Sequence, residues 1–180
     1  MNAVLTRAED HSLGGILVRR GRISAAELEL ALAKQREEGG LLGQVLLQLK
    51  FLDEDDLLRA LGEQLDIPFA EKLPVVDEVD PALVENLPIN FAKQQKLMPL
   101  RFDGDDGVIV AVSDPLAVHA LDDVRALLGR EPSPVLASSA RILEFINKVY
   151  TRLKQGVELE KGEDSEFGDA EELIDILDLT

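Results

Sequence analysis

The feature that most constrains this chain is a repeat with a fixed offset of 29 residues. Leu13-Gly14 recurs as Leu42-Gly43, Leu17 as Leu46 and Ile23 as Leu52. Leu28 recurs as Leu57, Ala31-Leu32 as Ala60-Leu61, and Gln35 as Gln64. One offset that aligns this many positions marks a duplicated supersecondary unit.

Each copy reads as a short helix, a turn and a longer helix. Leu13, Ile16, Leu17 and Arg20 follow helical spacing, and Gly21 stops the first helix as a left-handed cap does. Ser24 and Glu27 have the spacing of a capping box. The helix that follows is expected to bury Leu28, Ala31, Leu32 and Gln35. In the second copy Leu42, Val45, Leu46 and Leu49 form the short stripe. Asp53 caps a helix that buries Leu57, Leu58, Leu61 and Leu65. Lys50 stands where the first copy has Gly21, so this second turn is expected to be built differently.

Beyond Ile67-Pro68-Phe69 the pattern loosens. Glu71 to Pro81 reads as a connector, Asp80 caps a short helix through Leu87, and Pro88 opens another to about Gln95. The period then changes. Leu97 to Phe102 reads as a strand, with Pro99 putting it at an edge or a bulge. Asp103 to Gly107 is a turn, and Val108 to Val112 is a central strand. Asp114-Pro115 is expected to start a helix carrying Leu116, Val118, Leu121, Val124, Leu127 and Leu128, ended by Gly129. Pro134 to Ala137 is a third strand. Ser138 or Ser139 caps a last helix through Ile142, Ile146, Val149 and Leu153.

The expected fold class is α+β: an N-terminal four-helix repeat subdomain, then a small β-β-α-β-α sandwich and an acidic flexible tail. The expected divisions are 1–68 for the doubled helical unit, 69–96 for a connecting segment, 97–154 for the α/β subdomain and 155–180 for an acidic linker toward a motor domain.

Composition narrows the function. The formal charge is −16, which opposes nonspecific binding to nucleic acid or anionic lipid. Residues 157–180 hold ten of the acidic groups against Lys161 alone. Without cysteine there is no disulfide, thiolate metal site or Cys nucleophile. No stretch approaches the roughly 20 apolar residues of a membrane span, and Met1 to Arg7 lacks the apolar core of a secretion signal. No G-x-x-x-x-G-K-[ST] loop occurs, so intrinsic ATP hydrolysis is not expected. His11 and His119 stand alone. Asp103, Asp105 and Asp106 lack the Glu of a calcium loop and suit a hairpin turn.

Two pairs stay open between structure and function. Gln35 and Gln64 either satisfy nearby backbone groups or present amides to a planar ligand. Gly14 and Gly43 either permit tight packing of one repeat on the other or let a ligand approach a helix start. Residues 12–50 form the one locally cationic region, through Arg19, Arg20, Arg22, Lys34, Arg36 and Lys50.

The doubled Leu-Gly…Gln motif, Ile67-Pro68-Phe69, Asp80-Pro81, Pro88 to Phe91, Val110 to Pro115 and Leu121 to Arg125 resemble a known module. It is similar to the N-terminal domain of type II secretion and type IV pilus assembly ATPases, the general secretory pathway protein E group. The resemblance spans about residues 12 to 153. It implies a non-catalytic cytoplasmic docking or regulatory domain. The implied partners are the cytoplasmic part of an inner-membrane platform protein and the C-terminal ATPase domain of the same chain. No nucleic-acid polymer is implied, and the membrane is reached only through the partner. No cofactor is required, and cyclic di-GMP is a ligand that the resemblance admits.

On that basis Leu13, Gly14, Leu17, Leu28, Leu32 and Gln35 would line one half-site. Leu42, Gly43, Leu46, Leu57, Leu61 and Gln64 would line the other. Nucleotide-binding members usually carry a basic residue, often Arg, before Leu-Gly. This chain has Ser12 and Leu41 at those places. Losing one such charge-assisted contact costs about 1.5–3 kcal/mol.

Overall fold

The computed structural model describes residues 11–156. Both copies of the repeat fold as expected: α1 is Leu13–Arg19, α2 Ala25–Glu38, α3 Leu42–Gln48 and α4 Glu54–Leu65. Ser24 Oγ accepts from Glu27 N–H while Glu27 Oε2 accepts from Ser24 N–H, which completes the capping box. Asp53 Oδ1 accepts from Asp56 N–H at the start of α4.

The turns after α1 and α3 are the same turn, which corrects the expectation for Lys50. Gly21 has φ +66 and Lys50 has φ +56. Gly21 N–H donates to Val18 O and Arg22 N–H to Leu17 O. Lys50 N–H donates to Leu47 O and Phe51 N–H to Leu46 O, one repeat later. The two bonds satisfy carbonyls that the helix end would otherwise leave open. They hold a lysine in the left-handed region at a cost of about 1 kcal/mol.

Burial follows the repeat less strictly than the turns do. Ile16, Leu17, Ile23, Ala31, Val45, Leu46 and Ala60 make one core. Leu28, Leu32 and Gln35 are only half-buried on α2. On α4 Leu57 and Leu58 are buried, but Leu65 is 42% exposed, against expectation. Ion pairs tie the copies together. Arg19 and Arg20 meet Glu63, and Arg22 meets Asp56 at 3.4 Å.

The second core surrounds a three-stranded sheet of β1 (Leu97–Asp103), β2 (Gly107–Val112) and β3 (Glu131–Leu136), in that order. β1 and β2 are an antiparallel hairpin with an irregularity between Pro99 and Arg101, so Pro99 sits on an edge strand and at a bulge. β2 and β3 run parallel, joined by α6 (Val118–Leu128), which Gly129 closes at φ +63. β3 starts earlier than expected and contains Pro132 and Pro134. Ala137 N–H donates inward to Val112 O and Leu136 N–H outward to Pro68 O. By alternation the two prolines face outward, where the sheet needs no donor from them.

Two helix starts also differ from expectation. Asp114 Oδ1 accepts from Leu116 N–H and bends the chain, so α6 begins at Val118 and leaves Leu116 and Val118 exposed. Asp80 caps only a 3-10 turn, Pro81–Leu83, which runs into a further turn where Leu87 N–H donates to Val84 O before Pro88. α5 (Ile89–Gln95) follows Pro88 as read, and α7 covers residues 139–156. The segment from 69 to 96 does more than connect: Val79, Leu83, Val84, Leu87 and Ala92 are buried in the second core. The acidic region from 157 onward, including Ala170 to Leu179, lies outside the described residues.

Candidate functional site

α4 belongs to both halves of the molecule. Its Ala60 lies in the repeat core, and Leu58 in the core of the sheet. Beside it, two guanidinium groups approach the Phe69 ring, Arg59 at 4.5 Å and Arg141 at 5.2 Å from its centre. Arg141 donates to Ala70 O and Glu71 O, and Arg59 binds the Glu71 carboxylate. The Arg59 hydrogen bond holds the Glu71 carboxyl below its ordinary range. Phe69 also forms an isolated parallel bridge with Leu136, the last residue of β3. This joint fixes how the repeat sits on the sheet.

A cleft of about 640 Å³ opens along the other side of α4. The second copy supplies Leu41, Leu42, Gly43, Gln44, Leu47, Glu54, Leu57, Leu58, Leu61, Gln64 and Leu65. The first copy supplies Leu13. The facing wall comes from the end of α5 (Gln94, Gln95, Lys96), the β2–α6 loop (Ser113 to Ala117) and Ser139 at the start of α7. Nine leucines line the cleft, and four glutamine amides offer donors and acceptors. Glu54 Oε1 accepts from Ser139 N–H and Oγ, which bridges the two walls.

The twelve residues carried over from the resemblance separate here into distinct groups. Leu13, Leu42, Gly43, Leu57, Leu61 and Gln64 meet in the cleft. Leu17 and Leu46 are fully buried in the repeat core. Gly14, Leu28, Leu32 and Gln35 belong to the first copy and do not line the cleft. Gln35 Nε2 donates to Gly40 O at 2.9 Å, so its amide serves the backbone. Gln64 is exposed on the cleft wall.

The Leu-Gly glycines permit close packing within each copy. A Cβ on Gly14 would lie 2.7 Å from Leu28 Cδ1, and one on Gly43 would lie 2.9 Å from Leu57 Cδ1. Each short helix therefore presses on the long helix of its own copy.

Sequence reasoning missed the facing wall, Lys96 and Ser113 to Ala117. The Asp-Pro motif was visible at 114–115, but nothing local ties it to α4. Among the described residues no group of His, Cys, Asp and Glu is disposed to hold a metal. Asp106 O accepts from Glu131 N–H, consistent with a structural turn at 103–107. His11 and His119 are exposed. No described helix is long and apolar enough to cross a membrane.

Residues 65–156 match the MshEN domain family. The chain is 34% identical over 145 residues to the type IV pilus assembly ATPase PilB of Thermus thermophilus. That match takes in 80% of this chain and 16% of the relative, so the chain spans about a sixth of that protein's length. The fold matches a structure of MshE with cdg at a TM-score of 0.59 and 30% identity, over 77% of this chain and 99% of that one. It also matches the N-terminal domain of XpsE at a TM-score of 0.54 and 23% identity, over 77% and 94% of the two chains, which supports the shared α+β fold. With its matched segment running from the end of α4 through α7, the chain belongs to the MshEN domain family, the N-terminal domains of type II secretion and type IV pilus ATPases.

Proposed function

We propose that this domain is the regulatory and docking part of a secretion or pilus motor, and that its cleft takes cyclic di-GMP. One observation carries the ligand reading. Six of the twelve motif residues converge on a single cleft that the α/β half closes. The cleft lies within the roughly 300–1,000 Å³ of small-molecule sites. Leucine walls suit the flat faces of two guanines, and glutamine amides suit their edges. MshE, with the same fold, was solved with cdg, the cyclic dinucleotide. The domain binds and does no chemistry of its own in this reading. Hydrolysis belongs to the motor, and the site of action is the cytoplasmic face of the inner membrane.

The test is calorimetric titration with cyclic di-GMP, with GTP as the control. Saturable heat with the cyclic dinucleotide alone is the expected result. Absence of heat at high micromolar ligand would retire the ligand reading.

Docking to the platform protein is favoured by a separate observation. Leu41, Leu65 and Leu116 on the cleft rim are 57%, 42% and 63% exposed. Exposed leucines at one rim favour a protein partner. Co-purification with the platform's cytoplasmic domain, lost in Leu116→Asp, checks this reading.

A further inference from the structure

Three side chains carry charge inside the cleft: Glu54, Lys96 and Asp114. Two carboxylates against one ammonium make a poor host for a ligand with two phosphodiester charges, unless the ammonium is well used. Both carboxylates already have partners. Glu54 Oε1 accepts from Ser139, and Asp114 Oδ1 accepts from Leu116 N–H. Lys96 has no ion-pair partner among the described residues.

The lysine stands on a fixed base. It closes α5 in a left-handed conformation, φ +48, with its N–H directed to Ala92 O and Lys93 O. Its carbonyl accepts from Ser113 N–H, at the end of β2. Both backbone groups are therefore held while the side chain is exposed in the cleft. Five arginines around α4 are engaged elsewhere. Arg19 and Arg20 meet Glu63, Arg22 meets Asp56, and Arg59 and Arg141 hold Phe69 and Glu71. The residue before the second Leu-Gly, Leu41, lines the cleft without charge.

We propose that Lys96 is the phosphate-binding residue of this cleft, so that a cyclic dinucleotide is anchored from the α5–β1 junction and not from the Leu-Gly helix starts. The assignment rests on the cyclic di-GMP reading above and adds the residue that makes the anion tolerable.

The experiment titrates cyclic di-GMP into the full chain and into three variants, Lys96→Gln, Lys96→Arg and Leu41→Arg. Wild type should bind. Lys96→Gln should bind about tenfold or more weakly, as expected for loss of one charge-assisted contact. It should also show a shallower dependence on salt. Lys96→Arg should restore affinity, which separates lost charge from lost fold. Wild-type affinity in Lys96→Gln would overturn the assignment and leave the ligand reading standing. Binding by Leu41→Arg but not by wild type would also overturn it, while keeping the cleft as the site. Silence from both would remove the cyclic di-GMP reading, and the assignment with it.

Discussion

Glu54 Oε1 accepts hydrogen bonds from both the backbone N–H and the Oγ of Ser139, at 3.0 and 2.5 Å. The two residues are 85 positions apart and join the first turn of α4 to the first turn of α7. Glu54→Ala should lower stability by about 1–3 kcal/mol, since Ser139 loses a charged acceptor in a partly buried place. Urea unfolding measures this, and Ser139→Ala should reproduce only part of the loss because the backbone bond survives.

Gly62 tests the close approach at the end of α4. A Cβ there would lie 2.5 Å from Ile67 O, a backbone atom held by its own turn. Gly62→Ala should cost about 1–3 kcal/mol through overpacking. Gly43→Ala meets the end of the Leu57 side chain and, at an ordinary contact distance, that of Leu13; side-chain ends give more readily than backbone, so its cost should be smaller. Equal losses in the two variants would contradict this ranking.

Lys50 sits in the left-handed region at the place of Gly21. Lys50→Gly should raise stability by about 0.5–1 kcal/mol, and Gly21→Ala should lower it by a similar amount. Thermal unfolding of both variants reads the two signs.

The two glutamines of the repeat should behave differently. Gln64→Ala should weaken cyclic di-GMP binding with little change in stability. Gln35→Ala should lower stability by about 0.5–1.5 kcal/mol, because its amide donates to Gly40 O, and should spare affinity. Paired calorimetry and unfolding separate the effects.

Tyr150 is the one tyrosine of the chain, and its burial raises its pKa from 10 to about 12. Its hydroxyl donates to Leu87 O. The folded state holds this proton more tightly than the unfolded state does. The contribution to stability is therefore whole below pH 10 and is lost as pH rises toward about 12. Phenolate absorbance in the folded protein should titrate near 12, and ionisation near 10 would contradict it.

Much of this was legible in local pattern. The repeat predicted α1 to α4, Ser24 and Asp53 marked caps, Gly21 and Gly129 marked helix ends, and Pro99 marked the irregular edge strand. The misreadings share a cause. Asp114-Pro115 looks like a helix start, yet its carboxylate binds Leu116 N–H and delays α6 by three residues. Lys50 looked unfit for its turn, yet the same pair of backbone bonds holds it there. Side-chain competition for backbone groups and the tolerance of one strained residue depend on neighbours that pattern does not display.

The division for the candidate site is sharper. Sequence by itself determined which residues pair across copies, because 3.6-residue periodicity and a constant offset are local quantities. Of the half-site Leu42, Gly43, Leu46, Leu57, Leu61 and Gln64 that the resemblance grouped, all but the buried Leu46 form one cleft-lining set. Only the tertiary structure decided that this set faces Lys96, Asp114 and Ser139, while Gln35 turns to its own backbone. The two copies are near-equivalent in sequence. The α/β half packs on the second copy, through Leu58 and the Glu54–Ser139 bridge, and that long-range contact turns a symmetric repeat into an asymmetric cleft.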